Sequence, residues 1–153
     1  MGLGTESTTV LQLLIASPEN RLVELDFSHN PIKDEGVVNI LKAFKSNPND
    51  NIQVIKLENC FMGSQGAVTF SAYLRQTNFT NSLVPVQVLS LRRNFIGNVG
   101  LETLCFTLKT NSHLRYLDLS NNNISGGTGA MIALADVLKN NKTLKVLYLQ
   151  GNK

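Results

Sequence analysis

Leu114-Arg115-Tyr116-Leu117-Asp118-Leu119-Ser120-Asn121-Asn122-Asn123-Ile124 carries apolar residues at its first, fourth and sixth places, Asn at the ninth and Ile at the eleventh. Four other stretches share the spacing. They are Leu22-Leu25-Phe27-Asn30, Ile52-Ile55-Leu57-Cys60, Val86-Leu89-Leu91-Asn94 and Leu144-Leu147-Leu149-Asn152. Their first residues, 22, 52, 86, 114 and 144, lie 30, 34, 28 and 30 residues apart. In the first four, an apolar residue (Ile32, Met62, Ile96 or Ile124) follows two places after the Asn or Cys. Alternate residues of a strand face opposite ways. The fourth and sixth places therefore point to one side, and a short strand is expected at each match.

A helical period follows each strand. Val37-Ile40-Leu41-Phe44, Leu101-Leu104-Cys105-Leu108 and Met131-Leu134-Ala135-Leu138 follow i, i+3, i+4, i+7 spacing, which makes one apolar stripe. Ala67-Phe70-Leu74 is a weaker version with Ser71 in the remaining slot. Gly36, Gly66 and Gly100 stand just before the stripe, and Gly129 one place further off. Each unit is thus strand, turn, helix and loop. Insertions at Asn47 to Asn51, Asn78 to Pro85 and Gly126-Gly127 fall in connections, where extra residues cost little. A lone unit leaves two sides bare, so neighbours must stack. Polar side chains in the Asn column can satisfy backbone groups of the turn and of the next unit.

This pattern resembles the leucine-rich repeat family, and its helical form of roughly 28 residues is similar to the ribonuclease-inhibitor subtype. The resemblance covers Leu22 to Asn152. It implies an α/β solenoid, a horseshoe arc with a parallel β-sheet on the concave face and helices on the convex face. The expected organisation is a flexible segment at 1–9 and a repeat domain at 10–153. Full repeats start near 22, 52, 86 and 114, with partial repeats at both ends. Val10, Leu13 and Leu14 read as the helix of the first partial unit. The fifth strand is followed by no helix, which leads us to expect a piece of a longer array.

Strand residues facing away from the core would line the concavity. Their third places read Glu24, Val54, Val88, Tyr116 and Val146; the fifth, Asp26, Lys56, Ser90, Asp118 and Tyr148. The seventh read Ser28, Glu58, Arg92, Ser120 and Gln150; the eighth, His29, Asn59, Arg93, Asn121 and Gly151. The core columns are monotonous and these vary, as expected where a partner and not packing sets the residue. Arg and Tyr are enriched among interface residues that carry binding energy. The expected partner-binding set is Asp26, Lys56, Glu58, Arg92, Arg93, Tyr116, Asp118 and Tyr148. Local pairing, with the arginines on Glu58 and Asp118 and Tyr116 packed on Val88 and Val146, is the competing expectation. Leu144, Leu147 and Leu149 form a candidate self-association edge through which a two-fold dimer could pair.

Catalysis is not expected. Of the two histidines, His29 lies near Asp26, but no Ser or Cys is placed to serve it as nucleophile. Cys60 and Cys105 stand 45 residues apart and make no metal or redox motif. Gly126-Gly127-Thr128-Gly129 lacks the Lys of a phosphate-binding loop. No metal and no cofactor is implied. The net charge of +3 permits an acidic partner without demanding one. Lys56, Arg92, Arg93, Arg115 and Lys145 could hold phosphates, yet Asp26, Glu58 and Asp118 interrupt them, so nucleic acid ranks below protein.

No apolar run is long enough to span a bilayer, and no basic residue precedes Val10 to Ala16 as a secretory leader would require. Free thiols on core positions suit a reducing compartment, so the cytoplasm is the expected location. Three Asn-x-Ser/Thr triplets, at Asn78, Asn123 and Asn141, say little in an Asn-rich chain. The expected function is a non-catalytic protein-binding scaffold. The resemblance also admits a regulator of a small GTPase.

Overall fold

A computed structural model describes residues 2–46, 51–76 and 86–153. Among the described residues, five strands alternate with five helices. In chain order they are α1 (Thr5–Ile15), β1 (Glu24–Asp26), α2 (Lys33–Ser46), β2 (Val54–Lys56), α3 (Ser64–Gln76), β3 (Val88–Ser90), α4 (Gly97–Leu108), β4 (Tyr116–Asp118), α5 (Thr128–Asn140) and β5 (Val146–Tyr148). All strands pair in parallel in the order β1-β2-β3-β4-β5. The pairing keeps repeat positions in phase, so Leu25, Ile55, Leu89, Leu117 and Leu147 form one row. Each strand is three residues long, but the ladder runs further. The N–H groups of His29, Asn59, Arg93 and Asn121 donate to the carbonyls of Glu58, Arg92, Ser120 and Gln150. Parallel strands need a crossover, and α2, α3, α4 and α5 each lie in one, while α1 precedes the first strand. The result is the expected leucine-rich repeat solenoid.

One continuous core lies between sheet and helices. Its rows are Ile55, Leu89 and Leu117; Phe27, Leu57, Leu91 and Leu119; and Ile32, Met62, Ile96 and Ile124, all buried. The stripes of α2, α3 and α4 close it, with Phe44, Phe70 and Leu104 among the buried side chains. Tyr73 joins them, its ring edge-on to Phe70 at 6.0 Å and tilted against Phe44 at 5.7 Å. Gly66 and Gly100 sit where helix meets turn. An added Cβ there would come within 2.4 Å of Met62 Cγ and of Ile96 Cγ2.

The Asn column does what its position demands. Asn94 Nδ2 donates to the carbonyls of Leu57 and Leu91 at 2.6 and 2.9 Å, while its Oδ1 accepts the N–H groups of Cys60 and Met62. Asn122 repeats this between Leu91 and Ile96, and Asn152 between Leu119, Asn122 and Ile124. Cys60 fills the same slot with its thiol, which donates to the Phe27 carbonyl at 3.2 Å. A second Asn column escapes the sequence pattern. Asn20, Asn111 and Asn141 accept the N–H groups of Leu22, Leu114 and Leu144, the first residues of their repeats. Asn141 also reaches back to the Leu108 and Asn111 carbonyls, tying adjacent loops together.

Several expectations shift by one residue or one face. In α5 the buried set is Ala130, Leu134 and Val137, with Met131 and Ala133 partly buried; Ala135 is exposed and Leu138 lies 61% exposed. Gly129 therefore stands directly before its stripe, as the other three glycines do. In α1 the helix exists, but Val10, Leu13 and Leu14 face solvent, and Thr8 and Ile15 are buried. The helix also begins inside the segment expected to be flexible, and Thr5 Oγ1 donates to the Ile32 carbonyl. Leu22, expected in the core, is exposed, because its repeat has no sheet neighbour on that side. The insertions at 47–50 and 78–85 and the triplet at Asn78 lie outside the described residues.

Candidate interaction face

Beyond each strand the chain turns through the left-handed region at the eighth place. His29, Asn59, Arg93, Asn121 and Gly151 have φ of 64, 53, 55, 55 and 71°. Asn and Gly suit such a backbone, and Arg is seldom found there. This column is thus set partly by backbone geometry and not by a partner alone. Arg93 takes the strained conformation without a residue type that favours it.

The strand columns separate into two kinds of surface. Toward β1 and β2 the charges are matched. Lys56 Nζ lies 2.5 Å from Glu24 Oε1, which raises the lysine pKa. Asp26 Oδ1 accepts the Ser28 N–H at 2.9 Å. Partial burial would raise its pKa, but the Ser28 bonds and the nearby Lys56 outweigh that and hold the carboxyl below its usual value. Toward β3, β4 and β5 the surface is aromatic and basic. Tyr116 and Tyr148, diagonal neighbours on the last two strands, meet edge to face at 5.6 Å. Burial, Asp118 and Tyr148 raise the Tyr116 pKa, and Arg92 acts against them. Glu58 Oε1 stands 3.7 Å from both Arg92 Nε and Arg93 Nη1. The arginines therefore share Glu58 and do not reach Asp118 as the competing expectation had it. Asp118 itself is only 6% exposed, and its Oδ1 accepts the Ser120 N–H at 2.8 Å. Through that oxygen Asp118 holds the turn, so it is the least exposed member of the expected binding set whose exposure is given. Leu144, Leu147 and Leu149 pack against the core on the edge repeat of β5 and are half-buried.

Reactive chemistry finds little purchase. His29 Nδ1 lies 3.4 Å from Asn59 Nδ2, and the backbone N–H of His113 donates to Asn111 Oδ1. Burial pushes the thiols of Cys60 and Cys105 up to about 11 and about 12. At neutral pH both stay protonated and poorly nucleophilic. Among the described residues there is no group of three or more His, Cys, Asp or Glu able to hold a metal ion, and no helix is long and apolar enough to cross a membrane. A feature missed by the sequence reading lies at the strand-to-helix turns. Phe61 and Phe95, 51% and 54% exposed, approach to 6.1 Å, and Phe61 has φ of 59°. Their equal place in adjacent repeats was the available signal.

Comparison with known proteins agrees with this architecture. The family model "Leucine Rich repeat" matches residues 20–41, 85–105 and 110–133. The chain is 32% identical to "NACHT, LRR and PYD domains-containing protein 3" of Bos taurus over 139 residues, covering 90% of the chain and 13% of that protein. It is 31% identical to ribonuclease inhibitor of Sus scrofa over 132 residues, covering 86% of the chain and 27% of the inhibitor. "Protein CARMIL" of Dictyostelium discoideum is 30% identical over 156 residues, covering 98% of the chain and 14% of that protein. The chain therefore spans a small part of the length of these relatives. Among solved structures, "Leiomodin-1 Actin-Binding Site 2 (ABS2)" superposes with a TM-score of 0.76 at 21% identity, covering 90% of the chain and 76% of that structure. Five in-phase strands, two Asn ladders and these relatives agree: the chain belongs to the leucine-rich repeat family, in its ribonuclease-inhibitor-like form.

Proposed function

We propose that the chain is a non-catalytic protein-binding scaffold that takes its partner on the concave face, on the half built by β3, β4 and β5. The observation that carries this is the Tyr116–Tyr148 pair beside Arg92 and Arg93. Tyr148 is 43% exposed, so an aromatic platform is left open to solvent beside the two arginines. Stiff aromatic rings and guanidinium groups supply contact area and directional hydrogen bonds at low entropic cost. One relative, ribonuclease inhibitor, is named for its action on another protein, and buried, protonated thiols suit a scaffold better than an enzyme. No feature among the described residues favours regulation of a small GTPase over other protein partners.

Affinity capture from a cell lysate, read by mass spectrometry, tests the proposal. The wild-type chain is compared with one carrying Arg92→Glu and Tyr116→Ala. A protein held by the first and lost by the second supports the concave site and names the partner. Equal capture by both rejects it and points to the helical face.

A further inference from the structure

Positive charge on the concave face is concentrated at one place, Arg92 beside Arg93. Of the acidic groups, Glu24 holds Lys56, while Asp26 and Asp118 keep their charge and turn an oxygen to the Ser28 and Ser120 N–H groups. That leaves Glu58 for two arginines. A single carboxylate oxygen serves both, at 3.7 Å from each, which is longer than a hydrogen bond. Arg92 Nε is closed to solvent and has no hydrogen-bond acceptor. A buried donor without an acceptor costs free energy, and the Arg92 and Arg93 side chains, 34% and 55% exposed, still present the rest of their guanidinium groups to an incoming acceptor. Guanidinium forks match a carboxylate in two parallel bonds, and here two forks sit side by side.

The aromatic platform fixes what must stand beside that carboxylate. Arg92 lies close enough to Tyr116 to act on its pKa, so the forks and the rings share one surface. Two strand spacings separate β3 from β5, about 10 Å. An extended chain crossing the strands covers that in about three residues. Resting on the concave-face reading above, we infer that the partner presents an extended segment with a single acidic anchor. In it one Asp or Glu carboxylate enters between Arg92 and Arg93. An apolar side chain about three residues away lies on Tyr116 and Tyr148. Binding displaces Glu58 from the arginines, so Glu58 acts as an internal competitor that the partner's carboxylate replaces. A nucleic-acid strand fits less well, because its evenly spaced phosphates would run onto Glu58, Asp26 and Glu24 in one direction.

The test uses the full 153-residue chain, isotope-labelled, with amide shifts followed by NMR during titration. Three degenerate peptide pools carry a fixed Glu, Gln or Lys three residues before a fixed Leu; a twelve-nucleotide thymidine strand is the fourth probe. The expected result is that the Glu pool alone moves the amides of Arg92, Arg93, Tyr116 and Tyr148. Its affinity should fall at least about tenfold in Arg92→Gln/Arg93→Gln. It should rise about two- to fivefold in Glu58→Gln, which frees both arginines. A Glu58→Gln chain that binds no tighter overturns the competitor role. If the Gln or Lys pool binds the same amides equally well, the acidic-partner inference falls while the concave-face reading stands. Thymidine binding at these arginines, with steep loss on added salt, overturns it in favour of nucleic acid. Should the pools move only residues elsewhere, or none, both readings fail together.

Discussion

Asn122 shows at single-residue scale how the repeat holds itself together. It is fully buried, donates to the Leu91 and Ser120 carbonyls, and accepts the Ile96 N–H. Alanine there strands these groups away from water. Asn122→Ala should lower unfolding free energy by about 2–3 kcal/mol, measured by urea denaturation. Asn30→Ala, at a half-exposed site where water can substitute, should cost less. The two thiols make a second residue-scale prediction. Their folded pKa values, about 11 and about 12, stand above the unfolded value of 9.0. The unfolded chain therefore sheds these protons first as pH rises, and stability falls with pH above about 9 while being flat below it for these groups. Thermal melts between pH 7 and 10.5 should show that fall, reduced in a Cys60→Ala/Cys105→Ala chain. The native thiols should also resist a disulfide reagent that labels the denatured chain at once.

At the scale of the element, α5 separates pattern from packing. Ala130 to Ala135 reads Ala-Met-Ile-Ala-Leu-Ala, a nearly unbroken apolar run through which two stripes one residue apart can both be drawn. Contact with α4 selects the stripe of Ala130, Leu134 and Val137. Leu134→Ala should then cost about 2–5 kcal/mol, whereas Leu138→Lys should change stability by no more than about 0.5 kcal/mol. Equal losses at both positions in denaturant titrations would contradict the observed register. The same ambiguity explains α1, where Val10, Leu13 and Leu14 match an apolar stripe in sequence, yet the contact with α2 turns Thr8 and Ile15 inward. Gly100 presents the opposite case, a position with no room for choice. A methyl there would meet Ile96 Cγ2 at 2.4 Å, so Gly100→Ala should destabilise by about 1–3 kcal/mol.

Across the whole molecule, stability is a sum of repeats and of the contacts between neighbours. The middle strands have a neighbour on each side, and their inward residues Leu89 and Leu117 are buried; Leu25 and Leu147 on the outer strands are only half-buried. Amide hydrogen exchange should therefore be slowest in β3 and β4 and fastest in β1 and β5, with the difference reflecting local opening. Uniform protection across all five strands would mean that the array unfolds as one unit. The better-protected middle also carries Arg92, Arg93 and Tyr116, so the proposed binding face rests largely on the most firmly held part of the sheet.

What the amino-acid sequence settled alone is the periodic part of the molecule. Five in-phase matches define the strands, because a one-residue slip would turn Leu117 and Leu119 outward, and the Asn column, with Cys60 in the second repeat, marks the turns through side-chain hydrogen bonds to the backbone. The outward columns were legible as a face, and Tyr116 and Tyr148 as neighbours on it. Charge pairing was not. Glu58 and the arginines are more than thirty residues apart in the chain, and nothing local says that they meet while Asp118 turns back to Ser120. Helix faces with two acceptable stripes, the second Asn column and the exposed Phe61–Phe95 pair were likewise decided only by tertiary contact. Periodicity dictates what every repeat must share, whereas a side chain's partner depends on distances that exist only after the repeats have stacked.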